Sequence, residues 1–561
     1  MRTLQNQSGL SDMFTFYRYI ASWLHGRCCC YVFLVAFVLP EGVCGQTLES
    51  DSLALLDIFA ETDGPNWRDQ ISWHTAPIEA WEGVWVRDGR VRGLLFDGFG
   101  LKGFIPDAVA TLDALELLIL SHNELTGPIP ESLYGLQVLE KLDLSFNQLA
   151  GGISGSISGL ENLRELIMFN TDISGPIPPE IGTLEKLSLL NLSGNDLSGE
   201  IPSEIGVLHL IKTLRLNGNQ LSGRLPAAIG GMSSLEILDI SSNILEGPLP
   251  SELGNLASLR FFWAGYNMFS STLPESFGML SSLESLQLAG NDLEGSLPSE
   301  WDGMGKLVDL LLADNRLTGN LPDEWASLER LERLYIDRND LSGPIPDAWR
   351  GLTTLEEFSA ADNELGGDIP EAIGSWVNLD KLIITSNQFE GPIPDSLGQM
   401  TLLTMLDVSS NSNLYGILPA SLVNLTQLFS LRFQDTQLCE RSETDFQLWL
   451  QSVSHVESTG CVVSGVTGEN SDKALPMRMD LDGPWPNPAS RTMSIYYASP
   501  TSVRIWVFDV MGKALGSPVL LQPSIEQKKW TFDVSDLAPG VYAYRVESSS
   551  SSASGIFTII R

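Results

Sequence analysis

The feature that most constrains this chain of 561 residues is an internal period of 24 residues. From Leu139, leucines follow at offsets 3 and 5, and an asparagine, Asn147, follows at offset 8. The pattern recurs every 24 residues from twelve other starting points: Leu115, Leu163, Leu187, Ile211, Leu235, Leu259, Leu283, Leu307, Leu331, Leu355, Leu379 and Leu403. A degenerate copy from Val91 and a final copy from Leu428 bring the total to about fifteen. A period of this length predicts a fold in which one small unit is stacked many times.

The spacing within one copy predicts its local structure. Leucines at offsets 3 and 5 alternate with period two, which indicates a short strand with one buried face. The asparagine at offset 8 can donate to and accept from backbone groups of neighbouring turns, and Thr171 and Thr436 are exceptions that keep a hydrogen-bonding side chain. Glycine at offset 12 and proline at offset 15, as in Gly175 and Pro178, favour a tight return segment. Because one copy cannot bury its apolar face alone, the strands are expected to stack in parallel.

This pattern resembles the leucine-rich repeat, in the 24-residue variety found in plant receptor ectodomains. The signature Leu-x-Gly-x-Ile-Pro of that variety is present, for example from Leu197 to Pro202. The resemblance implies an α/β-type solenoid over residues 91–438. In it a parallel β-sheet lines the concave face, and short irregular or 3-10 segments form the convex face.

A solenoid exposes apolar edges unless both ends are capped, and residues 46–90 are predicted to cap the N-terminal end. Ser50 or Asp51 can cap a helix. The apolar face of that helix is predicted to carry three residues: Leu53, Leu56 and Phe59. Four tryptophans follow, at positions 67, 73, 81 and 85, and Trp81-Glu-Gly-Val84 resembles the cap motif of the same family. The alternative is that the tryptophans form a sugar-stacking site.

Residues 439–463 resemble the C-terminal cap of the family, pinned by one disulfide between Cys439 and Cys461. In an exported protein a loop of this size gains about 3 kcal/mol from such a bond. The alternative is two free buried thiols. A metal site is excluded because two ligands are too few.

The first 45 residues are predicted to be an export signal. Arg27 precedes an apolar run over 28–39 that is too short to span a bilayer, and Pro40 breaks it. Small residues precede the end of this segment, so cleavage is predicted after Gly45. The alternative is a buried helix of a cytosolic protein. No later segment has 18 consecutive apolar residues, so no membrane span is expected in the mature chain.

Residues 464–483 are rich in Gly, Ser, Asp and Pro and are predicted to be a linker. In residues 484–561, apolar residues alternate in short runs, which predicts six or seven strands and a small antiparallel immunoglobulin-like β-sandwich. The runs are Met493, Ile495 and Tyr497; Val503, Ile505 and Val507; Trp530, Phe532 and Val534; Val541, Ala543 and Val546; and 556–560.

Three motifs in the same segment resemble the type A C-terminal sorting domain of the type IX secretion system. They lie at 485–488 (Trp-Pro-Asn-Pro), 507–512 (Val-Phe-Asp-Val-Met-Gly) and 537–545 (Leu-Ala-Pro-Gly-Val-Tyr-Ala-Tyr-Arg). The resemblance implies a bacterial protein that crosses the outer membrane through that machinery. The segment departs from the family pattern at Trp485, where Tyr or Phe is usual, and in the serine-rich stretch 548–554. The alternative is a generic immunoglobulin-like domain that packs or binds.

The charge balance limits the classes of partner. Acidic residues outnumber basic ones 70 to 33, for a net charge of −37. A surface this negative repels phosphate backbones, which argues against nucleic-acid binding. The five histidines are far apart, and no nucleophile, zinc or phosphate-loop motif is present. We therefore expect no enzyme activity, no metal and no cofactor.

Side chains at offsets 2, 4, 6 and 7 of each copy are expected to face solvent on the concave sheet. Most are small or polar, but two copies carry aromatic residues and arginines, which commonly anchor recognition on rigid surfaces. These candidate ligand-binding residues are Phe261, Trp263 and Tyr266 in one copy and Arg333, Tyr335 and Arg338 in another. Strands about 4.8 Å apart place Trp263 and Tyr335 roughly 15 Å apart, within one ligand footprint. Phe146 and Phe169 form a smaller second candidate. The alternative is that these aromatics only shield neighbouring strands.

These observations favour a secreted or cell-surface protein that binds or adheres to a protein or glycan without catalysis, its other partner being the type IX secretion machinery. A passive structural component of the surface or of a biofilm is the first alternative. A plant-type extracellular receptor or enzyme inhibitor is the second, and a hydrolase is the third.

Overall fold

The computed structural model describes residues 47–463 continuously. Beyond them it describes segments 480–485, 492–499, 503–508, 519–521, 524–533, 540–547 and 552–559, and residue 515. The predicted export signal, 1–45, and most of the predicted linker, 464–479, lie outside the described residues.

The concave face is a 17-stranded sheet to which every copy contributes one short strand. Neighbouring strands pair in parallel with a register of one repeat, as Leu190 does with Leu214. The first pair, Val84–Arg87 with Arg90–Leu95, is antiparallel. The leucines at offsets 3 and 5, such as Leu214 and Leu216, are fully buried, which confirms the predicted alternation. The strands are Val84–Arg87, Arg90–Leu95, Leu117–Ile119, Lys141–Asp143, Glu165–Ile167, Leu189–Asn191, Thr213–Arg215, Ile237–Asp239, Phe261–Trp263, Ser285–Gln287, Asp309–Leu311, Arg333–Tyr335, Glu357–Ser359, Lys381–Ile383, Met405–Asp407, Ser430–Arg432 and His455–Glu457.

A second parallel sheet, of 16 strands, follows the first on the return side of each copy. The sequence predicted one strand per copy, so this sheet was missed. It forms because the residue at offset 10, such as Leu221, is buried while its neighbours leave their backbone groups free to pair with the next copy. Its strands are Lys102–Gly103, Glu124–Gly127, Gln148–Gly151, Asp172–Gly175, Asp196–Gly199, Gln220–Arg224, Ile244–Gly247, Met268–Thr272, Asp292–Ser296, Arg316–Asn320, Asp340–Gly343, Glu364–Asp368, Gln388–Gly391, Asn413–Ile417, Gln437–Arg441 and Val462–Val463.

Short 3-10 helices form the convex face, as the resemblance implied. The glycine at offset 12 turns the chain with a positive φ, which is 80° at Gly175, and the proline at offset 15 directly precedes each helix in most copies. The helices are Asp107–Thr111, Glu131–Gly135, Gly155–Gly159, Pro179–Thr183, Ser203–Val207, Ala227–Gly231, Ser251–Asn255, Glu275–Met279, Ser299–Gly303, Asp323–Ser327, Asp347–Gly351, Glu371–Ser375, Asp395–Gln399 and Ala420–Asn424.

The asparagines at offset 8 join successive copies through hydrogen bonds to the backbone, as predicted. The Asn267 amide donates to the carbonyl of Ala264 in its own copy at 3.1 Å and of Ile240 in the preceding copy at 3.0 Å. Its Oδ1 accepts from the amide of Leu245 at 3.0 Å. Each asparagine therefore satisfies backbone groups of two copies that would otherwise be buried and unpaired.

Aromatic rings stack along the interior of the convex side. Phe277, Trp301, Trp325 and Trp349 occupy the same offset in four successive copies, with ring centroids 6.1, 6.1 and 6.3 Å apart. Each indole N–H donates to a proline carbonyl one copy earlier, as Trp325 does to Pro298 at 2.9 Å. Because the indoles are buried and their polar atoms are satisfied, this stack stabilises the middle of the solenoid.

The N-terminal cap contains helix α1, Leu48–Glu61, and two 3-10 turns, Gly64–Asn66 and Ile78–Ala80. The predicted start of α1 and the predicted burial of Leu53 were wrong, whereas Phe59 is buried and Leu56 is partly buried against the core, as predicted. Asp51 lies inside the first turn, where its buried carboxylate accepts hydrogen bonds from the Arg90 side chain and the Val91 backbone amide, both at 2.9 Å. Leu53 is 60% exposed, and the buried residues of α1 include Leu55, Ile58 and Phe59.

Three tryptophans of this cap, Trp67, Trp73 and Trp81, are buried around Phe59. Their rings cover the first copy of the repeat through Phe96, at 5.1 Å from Trp67 and 5.8 Å from Trp73. Buried rings cannot stack on a sugar, so these tryptophans cap the core.

At the C-terminal end, Cys439 and Cys461 form a disulfide with their Cα atoms 4.7 Å apart, and the alternative of two free thiols is excluded. Between them lies helix α2, Thr444–Ser452, which buries Phe446, Trp449 and Leu450. The strand His455–Glu457 then extends the concave sheet beyond the last copy of the repeat.

The described segments beyond residue 480 form two antiparallel sheets. One contains Asp480–Trp485, Thr492–Ser499 and Ser524–Asp533. The other contains Val519–Leu521, Val503–Phe508, Gly540–Glu547 and Ser552–Ile559, in that spatial order. The first strand begins within the segment predicted as a linker, 464–483. In the second sheet, Ile505 and Val507 are buried while Arg504 is exposed, in agreement with the alternation in the sequence.

Candidate ligand-binding surface

The six candidate residues all lie on the concave face. Phe261 and Trp263 flank Phe262, which is fully buried, so their side chains lie on the opposite, outer side of the strand. Arg333 and Tyr335 flank the buried Leu334 in the same way. Tyr266 and Arg338 occupy the turn after the strand in their respective copies and are exposed.

Phe261 and Trp263 form a tilted pair with ring centroids 5.7 Å apart. The Arg260 guanidinium lies 5.1 Å from the Phe261 ring and makes two hydrogen bonds, both 2.9 Å, to the Glu284 carboxylate. The indole N–H of Trp263 donates to Ser285 Oγ at 3.1 Å. These contacts fix the two rings before any ligand arrives, which lowers the entropy lost on binding.

Tyr266 is 63% exposed and has a φ of 57°, in the left-handed region. Other copies place glycine at this offset, for example Gly218 and Gly290. The ring lies against Gly290, where a Cβ would be only 2.8 Å from a ring carbon of Tyr266. The repeat imposes this conformation on the same offset in most copies, where residues as different as His122 and Arg338 adopt it, so the exposed ring and not the backbone distinguishes Tyr266.

The charges of Arg333 and Arg338 are already neutralised by carboxylates of the preceding copy. Arg333 contacts Asp309 at 2.5 Å, and Arg338 contacts Asp314 at 2.6 Å. The Tyr335 hydroxyl donates to Glu357, and burial together with that carboxylate raises the pKa of Tyr335. Their polar groups are therefore engaged within the protein.

A shallow depression of about 180 Å³ lies beside Tyr335. Its lining residues are Tyr335, Asp337, Glu357, Phe358, Ser359, Lys381 and Ile383. Lys381 pairs with Glu357 at 3.0 Å, and Asp337 accepts hydrogen bonds from Ser359 and from the Ala361 backbone amide. Burial raises the pKa of Asp337 despite these bonds.

The sequence reasoning missed an apolar region at the N-terminal end of the concave face. Its aliphatic members occupy the outward offsets 2 and 4 and are exposed or half-buried: Leu95, Leu117, Ile119, Ile167 and Leu189. Phe146, which is 39% exposed and belongs to the second candidate named from the sequence, continues this region; its ring stacks on His122 at 4.3 Å and meets Phe169 edge to face at 4.8 Å. The sequence does contain a signal for this region: at the outward-facing offsets of these copies, aliphatic residues replace the small and polar residues found in most other copies.

The sequence reasoning also missed Arg215. This residue lies on the concave face two copies before Trp263, and its guanidinium carbon is 5.9 Å from the centroid of the Trp263 ring. The strand of Asp239 lies between them, and burial raises the pKa of Asp239, opposed by hydrogen bonds from Ser241 and by the charge of Arg215.

Fold and surface together define a leucine-rich-repeat protein. Family models for the leucine-rich repeat match residues 100–149, 113–173, 186–208, 210–232, 234–256, 282–304 and 330–352. A model of the secretion system C-terminal sorting domain matches residues 484–559. The chain is thus a leucine-rich-repeat protein that carries a C-terminal sorting domain of the type IX secretion system. None of these models describes an enzyme family.

The sorting domain indicates secretion by that machinery to the bacterial cell surface or exterior. Among the described residues, no helix is long and apolar enough to cross a membrane. The same residues contain no group of three or more His, Cys, Asp or Glu side chains that could hold a metal ion.

Solved structures with the same fold come from plants and bacteria. The ectodomain of the Arabidopsis thaliana receptor kinase GASSHO1, in complex with Casparian strip integrity factor 2, is 33% identical over 65% of this chain, with a TM-score of 0.56. The plant peptide hormone receptor RGFR1, in complex with RGF2, is 28% identical over 67% of this chain and 71% of its own, with a TM-score of 0.57. A leucine-rich-repeat protein of Leptospira interrogans is 27% identical over 64% of this chain and 88% of its own, with a TM-score of 0.53.

The alignment with GASSHO1 spans only 47% of the length of that receptor chain. No curated protein matches the chain significantly.

Proposed function

We propose that this protein is a non-catalytic binding module on the bacterial surface, which holds a protein or glycan ligand on its concave sheet. The observation that carries the proposal is an aromatic group on the concave face: the rings of Phe261 and Trp263 are held by contacts with neighbouring side chains, and the same copy presents the exposed ring of Tyr266. Exposed aromatic rings held rigidly on a concave face favour binding, because little freedom is lost when a ligand arrives.

The comparison structures support a binding role without identifying the ligand. Two plant receptors with the same fold are in complex with a partner: GASSHO1 with Casparian strip integrity factor 2, and the peptide hormone receptor RGFR1 with RGF2. From these structures we carry over to this chain only the proposal that the solenoid serves as a recognition surface. Tyr335 lines the shallow depression on the same face, and together with Arg333 and Arg338 it would enlarge the footprint.

We also propose a division of labour along the chain. Residues 1–45 direct export, 46–90 and 439–463 cap the solenoid of 91–438, and a short linker leads to residues 484–561. The two antiparallel sheets of that last segment support a small immunoglobulin-like sandwich recognised by the secretion machinery. Fractionation of cells that express the full chain or a version ending at Gly483 tests this role: only the shorter version should accumulate in the periplasm. Equal secretion of both versions would contradict it.

Titration of the secreted protein against labelled envelope or host extract tests the binding role. We expect saturable capture that falls at least tenfold when Trp263 and Tyr335 are both replaced by Ala. Capture that does not saturate, or that the double substitution leaves unchanged, favours a passive structural component instead.

A further inference from the structure

Arg215 differs from the other cationic residues on the outward columns of the concave sheet. Five of them lie within ion-pair distance of a carboxylate: Lys141 with Glu165, Arg333 with Asp309, Arg338 with Asp314, Lys381 with Glu357, and Arg432 with Glu457. Among the described cationic residues of these columns, Arg215 alone lies outside ion-pair distance of any carboxylate and makes no side-chain hydrogen bond, although Asp239 on the next strand is near enough to feel its charge. In a chain of net charge −37, an unpaired guanidinium on the binding face is unusual.

Contact with Trp263 holds this guanidinium in place. Its carbon lies 5.9 Å from the centroid of the indole, within the range of a cation–π interaction. Such a contact uses the positive charge but none of the N–H donors, which lie in the plane of the guanidinium. The donors stay available for a planar, bidentate partner, and a carboxylate has that geometry.

The surroundings select among anions. Asp239 lies on the strand between Arg215 and Trp263, and the whole protein is strongly acidic, so a ligand that brings several neighbouring negative charges, such as nucleic acid or a chain of consecutive acidic sugars, is repelled. A single carboxylate requires only the one guanidinium. Uncharged polar side chains occupy the adjacent outward positions, namely Asn191, Ser193, Asn217 and Ser241, and can hydrogen-bond hydroxyl groups.

We propose that Arg215 and Trp263 form a subsite for a single acidic sugar of the uronic-acid type, flanked by neutral sugars in a surface polysaccharide. The carboxylate pairs with Arg215, the apolar face of a sugar ring packs on the neighbouring aromatic surface of Trp263 and Tyr266, and the hydroxyls meet the polar side chains. An acidic peptide would supply the carboxylate but not the hydroxyls. This inference rests on the proposed function and adds the chemical class of the ligand.

Calorimetric titration of the secreted protein with a trisaccharide in which only the central sugar is a galacturonic acid tests the inference, with its methyl ester and a blocked tripeptide that contains one glutamate as comparison ligands. We expect the acid trisaccharide to bind and the ester and the peptide to bind at least tenfold more weakly. Arg215→Gln should weaken binding of the acid at least tenfold, and Arg215→Lys, which keeps the charge but loses the planar fork, should weaken it less. The matched control is Lys141→Gln, another concave cation, and it should leave the affinity unchanged.

The inference is overturned by equal affinity for acid and ester, by unchanged affinity in Arg215→Gln, by preference for the peptide, or by no binding of the acid. Those outcomes leave the proposed function intact if envelope extract is still captured in a saturable manner that depends on Trp263. Loss of that capture as well would contradict both.

Discussion

The guanidinium of Arg215 lies over the indole ring of Trp263, two copies of the repeat further along the chain, at 5.9 Å from the ring centroid. The Arg215 side chain thus reaches across the intervening strand and places a charged group against the aromatic residues of the concave face. The stacked strands create this contact, because a register of one repeat brings the same offset of successive copies into one column.

Tyr266 is expected to show that binding and stability compete at one position. Its left-handed backbone disfavours any Cβ, so Tyr266→Gly should be more stable than Tyr266→Ala by about 1 kcal/mol. Urea unfolding measures the difference. Both variants should bind envelope ligand more weakly than the wild type because both remove the ring.

Ser242 is the matched control for this experiment. It occupies the same offset one copy earlier, with a φ of 55°, and carries no ring. Ser242→Gly should also be more stable than Ser242→Ala, with ligand binding unchanged in both. If glycine and alanine are equally stable at position 266, the strain assigned to Tyr266 is absent.

The asparagine ladder is expected to be a large source of stability. Asn315 donates to the carbonyls of Leu288 and Leu312, both at 3.0 Å, and accepts from the amide of Leu293 at 3.1 Å. Asn315→Ala leaves these buried backbone groups unpaired and should lower the free energy of unfolding by about 3 kcal/mol.

Asn315→Thr is a graded control, since Thr171 occupies this offset naturally and keeps hydrogen bonds through its hydroxyl. Threonine should therefore cost less than alanine when the two variants are compared in urea. Equal losses would show that the hydrogen bonds do not determine the effect.

Asp239 is expected to destabilise the solenoid at neutral pH. Burial raises the pKa of its carboxyl in the folded state, so the folded form binds this proton more tightly than the unfolded chain does. The resulting loss of stability is complete above the raised pKa and disappears as the pH falls toward about 4, the ordinary pKa of aspartate.

Asp239→Asn should therefore be more stable than the wild type at pH 7, and the difference should shrink on acidification. Asn191, at the same offset, shows that an amide is compatible with the site: its Oδ1 accepts from Ser193 as Asp239 does from Ser241. Thermal unfolding from pH 4 to 8 measures the effect. A difference that grows at low pH would reverse the predicted sign.

The disulfide is expected to stabilise mainly the last turns. Cys439→Ser should lower the free energy of unfolding by about 3 kcal/mol for a loop of this size. Hydrogen exchange should quicken in α2 and in the strand His455–Glu457, while the strand Leu189–Asn191 keeps its protection. Faster exchange throughout the solenoid would contradict a local role.

The sequence predicted the repeat and its buried columns because the period alone determines which side chains face the core. The offsets of Leu214 and Leu216 were enough to predict that both are buried. It did not predict the second sheet, because strands such as Gln220–Arg224 are polar at most positions and form through backbone pairing between copies. The start of α1 was misplaced because Asp51, a common capping residue, is used within the helix to bind Arg90.

The candidate surface was predicted in part. Offsets identified Phe261, Trp263 and Tyr335 as outward-facing, but the ion pair that engages Arg333 depends on Asp309 in the preceding copy. Arg215 is equally visible in the sequence, yet its importance comes from the absence of a carboxylate partner and from its reach to Trp263. Such relationships depend on side-chain conformations, which a repeat pattern does not determine.

The most direct test is to measure the dissociation constant of the captured envelope ligand for three proteins. They are the wild type, the double variant Trp263→Ala with Tyr266→Ala, and the single variant Phe104→Ala. Phe104 is 64% exposed, close to the 63% of Tyr266, but it does not occupy one of the outward-facing offsets 2, 4, 6 and 7 of the concave sheet. A binding surface on the concave sheet predicts at least a tenfold loss of affinity in the double variant and none in Phe104→Ala. Equal affinity of all three proteins would contradict it.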